Sequence, residues 1–241
     1  MMIQIEGGLS VKAAMLAGSR QIEAVYLDEA RHDKDAHFIV RKAQEKHIPV
    51  ILKSRSWIDA HAQGRTHGGL IAQVSPRSFQ QLSEVLSDNP CVFVVEGVED
   101  PFNLGYIMRS LYSAGASGLL LSARNWQPVE STILKASAGA SEYLNVVLSE
   151  DLPGDIAALK KQGLKAYAAM RKDAIAYWDA DYTEPCLIAI GGEMRGLSSK
   201  VLKEMDQNIY IPYANDFRAA LNAAGAAAAI AFEGFRQRNG R

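Results

Sequence analysis

The sequence predicts an α/β protein in two parts, and three observations lead there. Apolar β-branched runs such as Val92–Val95 alternate with helical periodicities such as Ile107, Leu111 and Ala114. The same alternation runs through the first part of the chain on a smaller scale, enough for a small α/β domain. A polar stretch separates the two. The expected bounds are 1–77 for the first domain, 78–90 for a linker and 91–241 for the larger domain.

The elements follow in order. Ser10 is suited to cap a short helix carrying Val11, Ala14 and Met15 up to Gly18. Ile22–Leu27 reads as a strand, Ala36–Lys46 as a helix, Val50–Leu52 as a strand, Trp57–Ala62 as a short helix and Leu70–Val74 as a strand. Leu82, Val85 and Leu86 give the linker a short helix of its own. The strand Val92–Val95, a polar loop to Asn103, a helix stopped by Gly115 and the strand Leu119–Leu121 make the next unit. A helix near Ser131–Ala138, a strand Asn145–Leu148, a helix Leu152–Gln162 and a strand Lys165–Ala169 come after it. Leu187–Ile190 and Ile209–Ile211 are the last strands, and a helix from about Ala219 to Arg238 closes the chain.

Length and composition bound the function. A chain of 241 residues with 48% apolar content supports one large or two small cores. Residues Met1–Gly8 hold Glu6 and no long apolar run, unlike a signal peptide, and no stretch approaches a membrane span. Cys91 and Cys186 sit inside apolar strand-like runs, so buried thiols are expected, with no disulfide and no metal site. These features together predict a cytoplasmic protein with no membrane partner. The net charge of −1 argues against a protein held to nucleic acid by bulk electrostatics. Residues 1–77 nevertheless carry 11 Lys+Arg against 8 Asp+Glu, while residues 78–241 carry 15 against 19. All five histidines (His32, His37, His47, His61 and His67) also lie in the first part. Any polyanion contact is expected to begin there, although ordinary solvated surfaces show similar imbalances.

Three stretches carry candidate chemistry. In open α/β sheets ligands bind beyond the carboxyl ends of the strands, where the loop after Val95 lies. Its Asn103 both donates and accepts, and equally suits a helix N-cap. Arg109 offers a planar fork for phosphate or carboxylate, or is simply a solvated arginine. The second stretch is Gly191-Gly192-Glu193-Met194-Arg195-Gly196-Leu197, just past a strand. Glycine there lets main chain approach a ligand closely, or makes a plain turn. No G-x-G-x-x-G follows a strand and no P-loop is present, so dinucleotide and triphosphate binding lack their usual signatures. The third runs from Ile211 through Leu221-Asn222 into an alanine-rich helix. Its small side chains permit close packing, within the chain or against a symmetry mate.

Together these stretches resemble the three motifs of the SpoU/TrmH family of RNA 2′-O-ribose methyltransferases, in the SPOUT superfamily. Asp100-Pro101-Phe102-Asn103-Leu104-Gly105 through Arg109 is similar to motif one. Ile190–Glu193 with Gly196-Leu197 is similar to motif two, and Ile211-Pro212 with Leu221-Asn222 to motif three. Lys135–Ala140 resembles a linking segment of the family. Val11, Ala14, Gly18, Arg20, His67 and Gly69 resemble its ribosomal-protein-like substrate-binding domain. The resemblance implies a SPOUT α/β domain with a C-terminal trefoil knot, and a homodimer built on the last helix. It implies S-adenosylmethionine held by Gly191, Gly192, Ile211, Leu221 and Asn222. Arg109 is implied at the catalytic site, with Asn103 and Glu193 ordering the pocket. The implied substrate is structured RNA, ribosomal RNA first and transfer RNA second.

One departure bears on catalysis. Ala220 and Ala224 stand where the family usually has serine, with Asp216 and Arg218 upstream. The alternatives are an RNA-binding homologue with altered or lost catalysis, and a Rossmann-like enzyme acting on some other small molecule.

Overall fold

A computed structural model describes residues 2–216 and 219–240. The chain divides into two compact units: one runs to Ser78 and takes in Trp126–Tyr143, and the other comprises Phe79–Asn125 and the chain from Leu144 onward.

The first unit opens with β1 (Ile3–Glu6) and α1 (Gly8–Ala17), followed by β2 (Ile22–Asp28) and α2 (Lys34–Glu45). Then come β3 (Val50–Lys53), α3 (Arg55–His61) and β4 (Leu70–Val74). The sheet order is β1-β4-β2-β3, with β4 antiparallel to both neighbours and β3 parallel to β2. Ile5, Met15, Val25, Ile39 and Leu70 meet in its core. Strand β1 was not expected; four residues give too short an alternation to stand out, and pairing with β4 makes it a strand. Ser10 does not cap α1. Gly7, at φ 89°, turns the chain out of β1 early, so the helix begins at Gly8 and Ser10 is buried inside it.

The second unit begins before its first strand. The stretch from Phe79 to Pro90, expected as a linker, belongs to this unit. Gln80 exchanges two hydrogen bonds of 2.9 Å with Val146, and buried Val85 sits where a Cβ on Gly118 would come within 2.4 Å of its Cγ1. Next come β5 (Cys91–Glu96), α4 (Pro101–Ser113) and β6 (Gly118–Ser122).

The following helices, α5 (Glu130–Ala136) and α6 (Ala140–Tyr143), belong to the first unit rather than to the larger domain the sequence suggested. The reason is a buried ionic cluster. Arg20 donates to Glu142 through Nη2 at 2.7 Å and Nε at 2.9 Å, and to Glu130 through Nη1 at 3.1 Å. Ser19 donates to the same Glu142 carboxylate. Arg77 is buried with them, and burial lowers its pKa to about 10 against the pull of both carboxylates, so it stays charged at neutral pH. Lys135 reaches Glu6 at 2.8 Å. Gly139, at φ 89°, lies so close to α1 that a Cβ would come within 2.6 Å of the Ala13 methyl.

The second unit resumes with β7 (Val146–Ser149), α7 (Leu152–Lys161), β8 (Lys165–Ala169), β9 (Ala174–Ala176) and β10 (Cys186–Gly191). It ends with α8 (Ser199–Lys203), β11 (Gln207–Tyr210) and α9 (Ala223–Arg238). All seven strands are parallel, in the order β7-β6-β5-β10-β8-β11-β9. Val92, Val94, Leu120, Leu187 and Ala189 face Leu152, Ile156 and Leu159 across one layer. Helix α9 packs on α4 and β10. Cys91 and Cys186 are buried free thiols, in register on β5 and β10 with their Sγ atoms 3.7 Å apart. Among the described residues, no helix is long and apolar enough to cross a membrane.

The ionic cluster makes a prediction about the first unit. Removing one partner of a buried pair costs about 3–5 kcal/mol, because a desolvated charge is left behind. Arg20→Ala is expected to show a loss of that size in chemical denaturation. Arg236→Ala, which removes an exposed arginine from its pair with the largely covered Glu233, is expected to cost far less.

Candidate active site

The site forms where β5, β8, β10 and β11 end. At the end of β5 the backbone turns through Gly97, at φ 75°. Asp100 then caps α4, accepting from Phe102 N at 3.2 Å and Asn103 N at 3.3 Å, with Pro101 preset for the first turn. Asn103 is therefore not the cap. Its side chain is left for the site, and its Nδ2 lies 3.5 Å from Glu193 Oε1.

Glu193 stands on the turn after β10, which is clamped to β5. Gly192 N donates to the Glu96 carbonyl at 2.7 Å, and Ser198 N donates to the Glu96 carboxylate at 2.7 Å. The turn closes on itself through Gly196 N to Gly192 O at 2.9 Å. A Cβ on Gly192 would fall 2.0 Å from the Gly97 carbonyl oxygen, and one on Gly191 would fall 2.4 Å from the Gly196 carbonyl carbon. The two glycines are thus required by main chain meeting main chain, a demand separate from any ligand.

After β11 the chain passes Ile211 and returns at Leu221. Leu221 N donates to the Tyr213 hydroxyl at 2.7 Å, which ties the two ends of this loop together. The Arg171 guanidinium lies over the Tyr213 ring, 4.8 Å from its centroid. Phe217 and Arg218 lie outside the described residues. Asn222 is the N-cap of α9, accepting from Gly225 N at 2.8 Å.

Two cavities result. One, of about 280 Å³, is lined by Gly191, Gly192, Ile211 and Leu221, with Ile230 and Arg171 completing its wall. The other is about 580 Å³ and is lined by Gly97, Asp100, Asn103, Glu193 and Arg195. Glu193 and Ala223 border both. The fold thus gathers four of the five expected cofactor residues around one cavity. Asn222 is not on its wall, because its side chain is spent on the cap. Asn103 and Glu193 share the second cavity.

Arg109 lines neither cavity. It is exposed on α4 in one stripe with Phe102 and Tyr106, which are 54% and 48% exposed. On neighbouring α9, Phe232 and Phe235 are also exposed, with ring centroids 6.4 Å apart. The small residues Ala223, Ala224, Ala227, Ala231 and Gly234 are buried within the chain. The alanine face is therefore an internal contact, and the outward face of α9 is aromatic. Arg171 and Tyr213 were not singled out by sequence, although Arg171 follows the carboxyl end of a strand, where the sheet rule points. Ala220, at one of the positions where serine was expected, lines the smaller cavity; Ala224 is buried.

Comparison with known proteins gives consistent results. Residues 90–232 match the profile of the SpoU rRNA Methylase family, and residues 4–80 match that of RNA 2′-O ribose methyltransferase substrate binding. An uncharacterized tRNA/rRNA methyltransferase from Synechocystis sp. is 31% identical over 232 residues, covering 93% of this chain. The chain spans 60% of that relative's length. The 23S rRNA (guanosine-2′-O-)-methyltransferase RlmB of Pseudomonas syringae pv. tomato is 26% identical over 99% of this chain and 97% of its own. Among solved structures, the SpoU methyltransferase AviRb from Streptomyces viridochromogenes, in complex with AdoMet, superposes with a TM-score of 0.83 at 22% identity. That match covers 99% of this chain and 91% of AviRb.

The glycine packing is directly testable. Gly192→Ala forces the turn away from Gly97 and is expected to cost about 1–3 kcal/mol, as overpacking does. Thermal and chemical denaturation measure it. A variant as stable as wild type would show that the turn is free to move.

Proposed function

The chain is an RNA 2′-O-ribose methyltransferase of the SpoU rRNA methylase family, and we propose that its site is the pair of cavities that meet at Glu193. In this reading the smaller cavity holds S-adenosylmethionine and the larger one receives the target nucleotide. Ribosomal RNA is the preferred substrate and transfer RNA the second. The observation that carries the proposal is the shared border: a chamber walled largely by aliphatic side chains and glycine adjoins one that gathers Asp100, Asn103 and Arg195, with Glu193 and Ala223 on both walls.

The residues present fit the cofactor. Ile211, Leu221 and Ile230 give the smaller cavity apolar walls for an adenine ring, and Arg171 offers a guanidinium to a carboxylate. Gly191 and Gly192 add main chain without side-chain bulk. When bound, S-adenosylmethionine supplies a methyl group already activated on a sulfonium.

The chain must then hold a ribose 2′-hydroxyl in line with that methyl carbon and take up the hydroxyl proton. Asn103 and Glu193 order the mouth between the cavities. A guanidinium is a poor base, so the role of Arg109 is to grip the target phosphate and orient the hydroxyl, with the proton passing to a phosphate oxygen.

Arg109 lies outside both cavities of its own chain, which supports a homodimer in which it serves the site of a second copy. Phe102, Tyr106, Phe232 and Phe235 on the outward faces of α4 and α9 supply the apolar contact. We also propose that the segment from β10 to α9 is tied in a trefoil knot. In support, β10 and β11 occupy interior places in the sheet, and the Tyr213–Leu221 bond closes the last loop. Such threading departs from the usual rule for connections.

Isothermal calorimetry with S-adenosylmethionine tests the cofactor site; no heat at millimolar ligand would overturn the reading. Arg109→Ala is expected to keep cofactor affinity and melting temperature while methyl transfer falls roughly a hundred- to thousandfold, about 2.7–4 kcal/mol. Arg109→Lys should also be poor, because a point charge cannot replace a planar fork. Near-normal turnover in a folded Arg109→Ala protein would remove the residue from the mechanism. Light scattering addresses the dimer: wild type is expected at twice the chain mass and Phe232→Glu as a monomer, whereas a monomeric wild type at micromolar concentration would exclude it.

A further inference from the structure

The first unit carries a cleft that the reaction above does not use. Helix α2 and the edge strand β3 leave between them an open space of about 510 Å³. Its floor is apolar, built from Val40, Val50 and Leu52. Leu52 is 60% exposed, whereas Leu27, its register partner on β2, is 3% exposed. Leu52 adjoins half-buried Val40 and Val50, and the three together, rather than one exposed leucine, make a small apolar surface with room for a partner.

The rim carries Arg31, His32, His37 and Arg41 with the carboxylate of Glu29, and Asp33 and Glu45 stand behind the two arginines. These groups are not equivalent. Arg31 is held by Asp33 at 2.6 Å and by the Gly68 carbonyl at 2.7 Å, so part of its charge is already spent. His37 is fixed through Nδ1, 2.9 Å from the Asp33 carbonyl. Arg41 is exposed, lies over the Phe38 ring at 5.8 Å and stands a loose 3.8 Å from Glu45. His32 is exposed. Arg41 and His32 are therefore the groups most available to an incoming anion.

A ligand suited to this cleft has a flat, weakly polar face and an anion attached to it. An unpaired nucleotide has both: its base covers apolar side chains, and its phosphate meets guanidinium and imidazole. An acidic peptide would satisfy the rim and leave Leu52 uncovered. The lean toward positive charge in residues 1–77, 11 Lys+Arg against 8 Asp+Glu, favours the same partner. We propose that this cleft takes an unpaired nucleotide of the RNA substrate, with its base on Leu52 and Val50 and its phosphate on Arg41 and His32. The proposal rests on the chain being an RNA methyltransferase and adds where, away from the reacting ribose, the RNA is held.

The test uses the full chain as wild type, Leu52→Ser and Arg41→Ala. Fluorescence anisotropy reads binding of a single-stranded decaribonucleotide and of a duplex of the same length across a salt series. An acidic peptide and adenosine monophosphate serve as competitors. Both variants are expected to bind the single strand about tenfold more weakly, equivalent to about 1.4 kcal/mol. Arg41→Ala should also lower the salt slope by about one. Melting temperature and S-adenosylmethionine affinity are expected to stay at wild-type values, since both residues are exposed and remote in sequence from the cofactor loops. The inference is overturned if either variant binds the single strand like wild type or loses the duplex equally. It is also overturned if the acidic peptide displaces RNA from wild type and not from Arg41→Ala, or if adenosine monophosphate binds protein already saturated with S-adenosylmethionine without competing with RNA. Absence of cofactor binding or methyl transfer in wild type would instead overturn the enzymatic reading, so the two failures are separable.

Discussion

The arrangement at the carboxyl end of the large sheet depends on one close approach, the backbone of Gly192 against that of Gly97. No side chain fits between them, since a Cβ on Gly192 would overlap the Gly97 carbonyl oxygen. With that contact made, Glu96 binds the turn through both its carbonyl and its carboxylate. The turn then has one position relative to β5, and Glu193 is held opposite Asn103. Close packing of main chain is a stricter positioning device than a side-chain contact, because there are no rotamers to redistribute.

Capping decides which polar groups remain available for chemistry. Asp100 satisfies the first amides of α4, which releases Asn103 toward Glu193. At the far side of the site the logic reverses: Asn222 is used as the cap of α9 and is withdrawn from the cavity wall. Two asparagines in motif-like settings thus have opposite roles, and the difference lies in which neighbouring residue already satisfies the helix end. Across from the turn after β10, the Tyr213 hydroxyl accepts from Leu221 N and its ring carries the Arg171 guanidinium, so one side chain joins two parts of the cavity wall.

In the first unit, charges are buried without being left unpaired. Arg20 gives three hydrogen bonds to two carboxylates, and Arg77 adds a second cation against the same pair. Desolvating such groups is costly, so their mutual attraction is largely offset, while removing one partner leaves an uncompensated charge. Here the cluster fixes where residues 126–143 belong. Helices α5 and α6 are short, and Glu130 and Glu142 give them a defined place beside α1.

The α/β class, the parallel β5-α4-β6 unit, the three motif stretches and most element positions were legible in the sequence by itself. They follow from local periodicity, from turn residues such as Gly115, and from residues close enough along the chain to be read together. Family membership was legible for the same reason, because the motifs are short and contiguous. Tertiary structure decided the rest. The assignment of residues 126–143 to the first unit depends on Arg20 meeting Glu142 across more than a hundred residues, which no window can see. That Ala227 is buried within its own chain while Phe232 faces outward depends on which side of α9 meets α4; a run of alanines has no strong amphipathic face to announce it. The distance of Arg109 from both cavities, and the recruitment of Arg171 and Tyr213 to one of them, depend likewise on where strand ends converge. Local sequence sets what each segment can be, but the convergence of separate segments sets which side chains share a site.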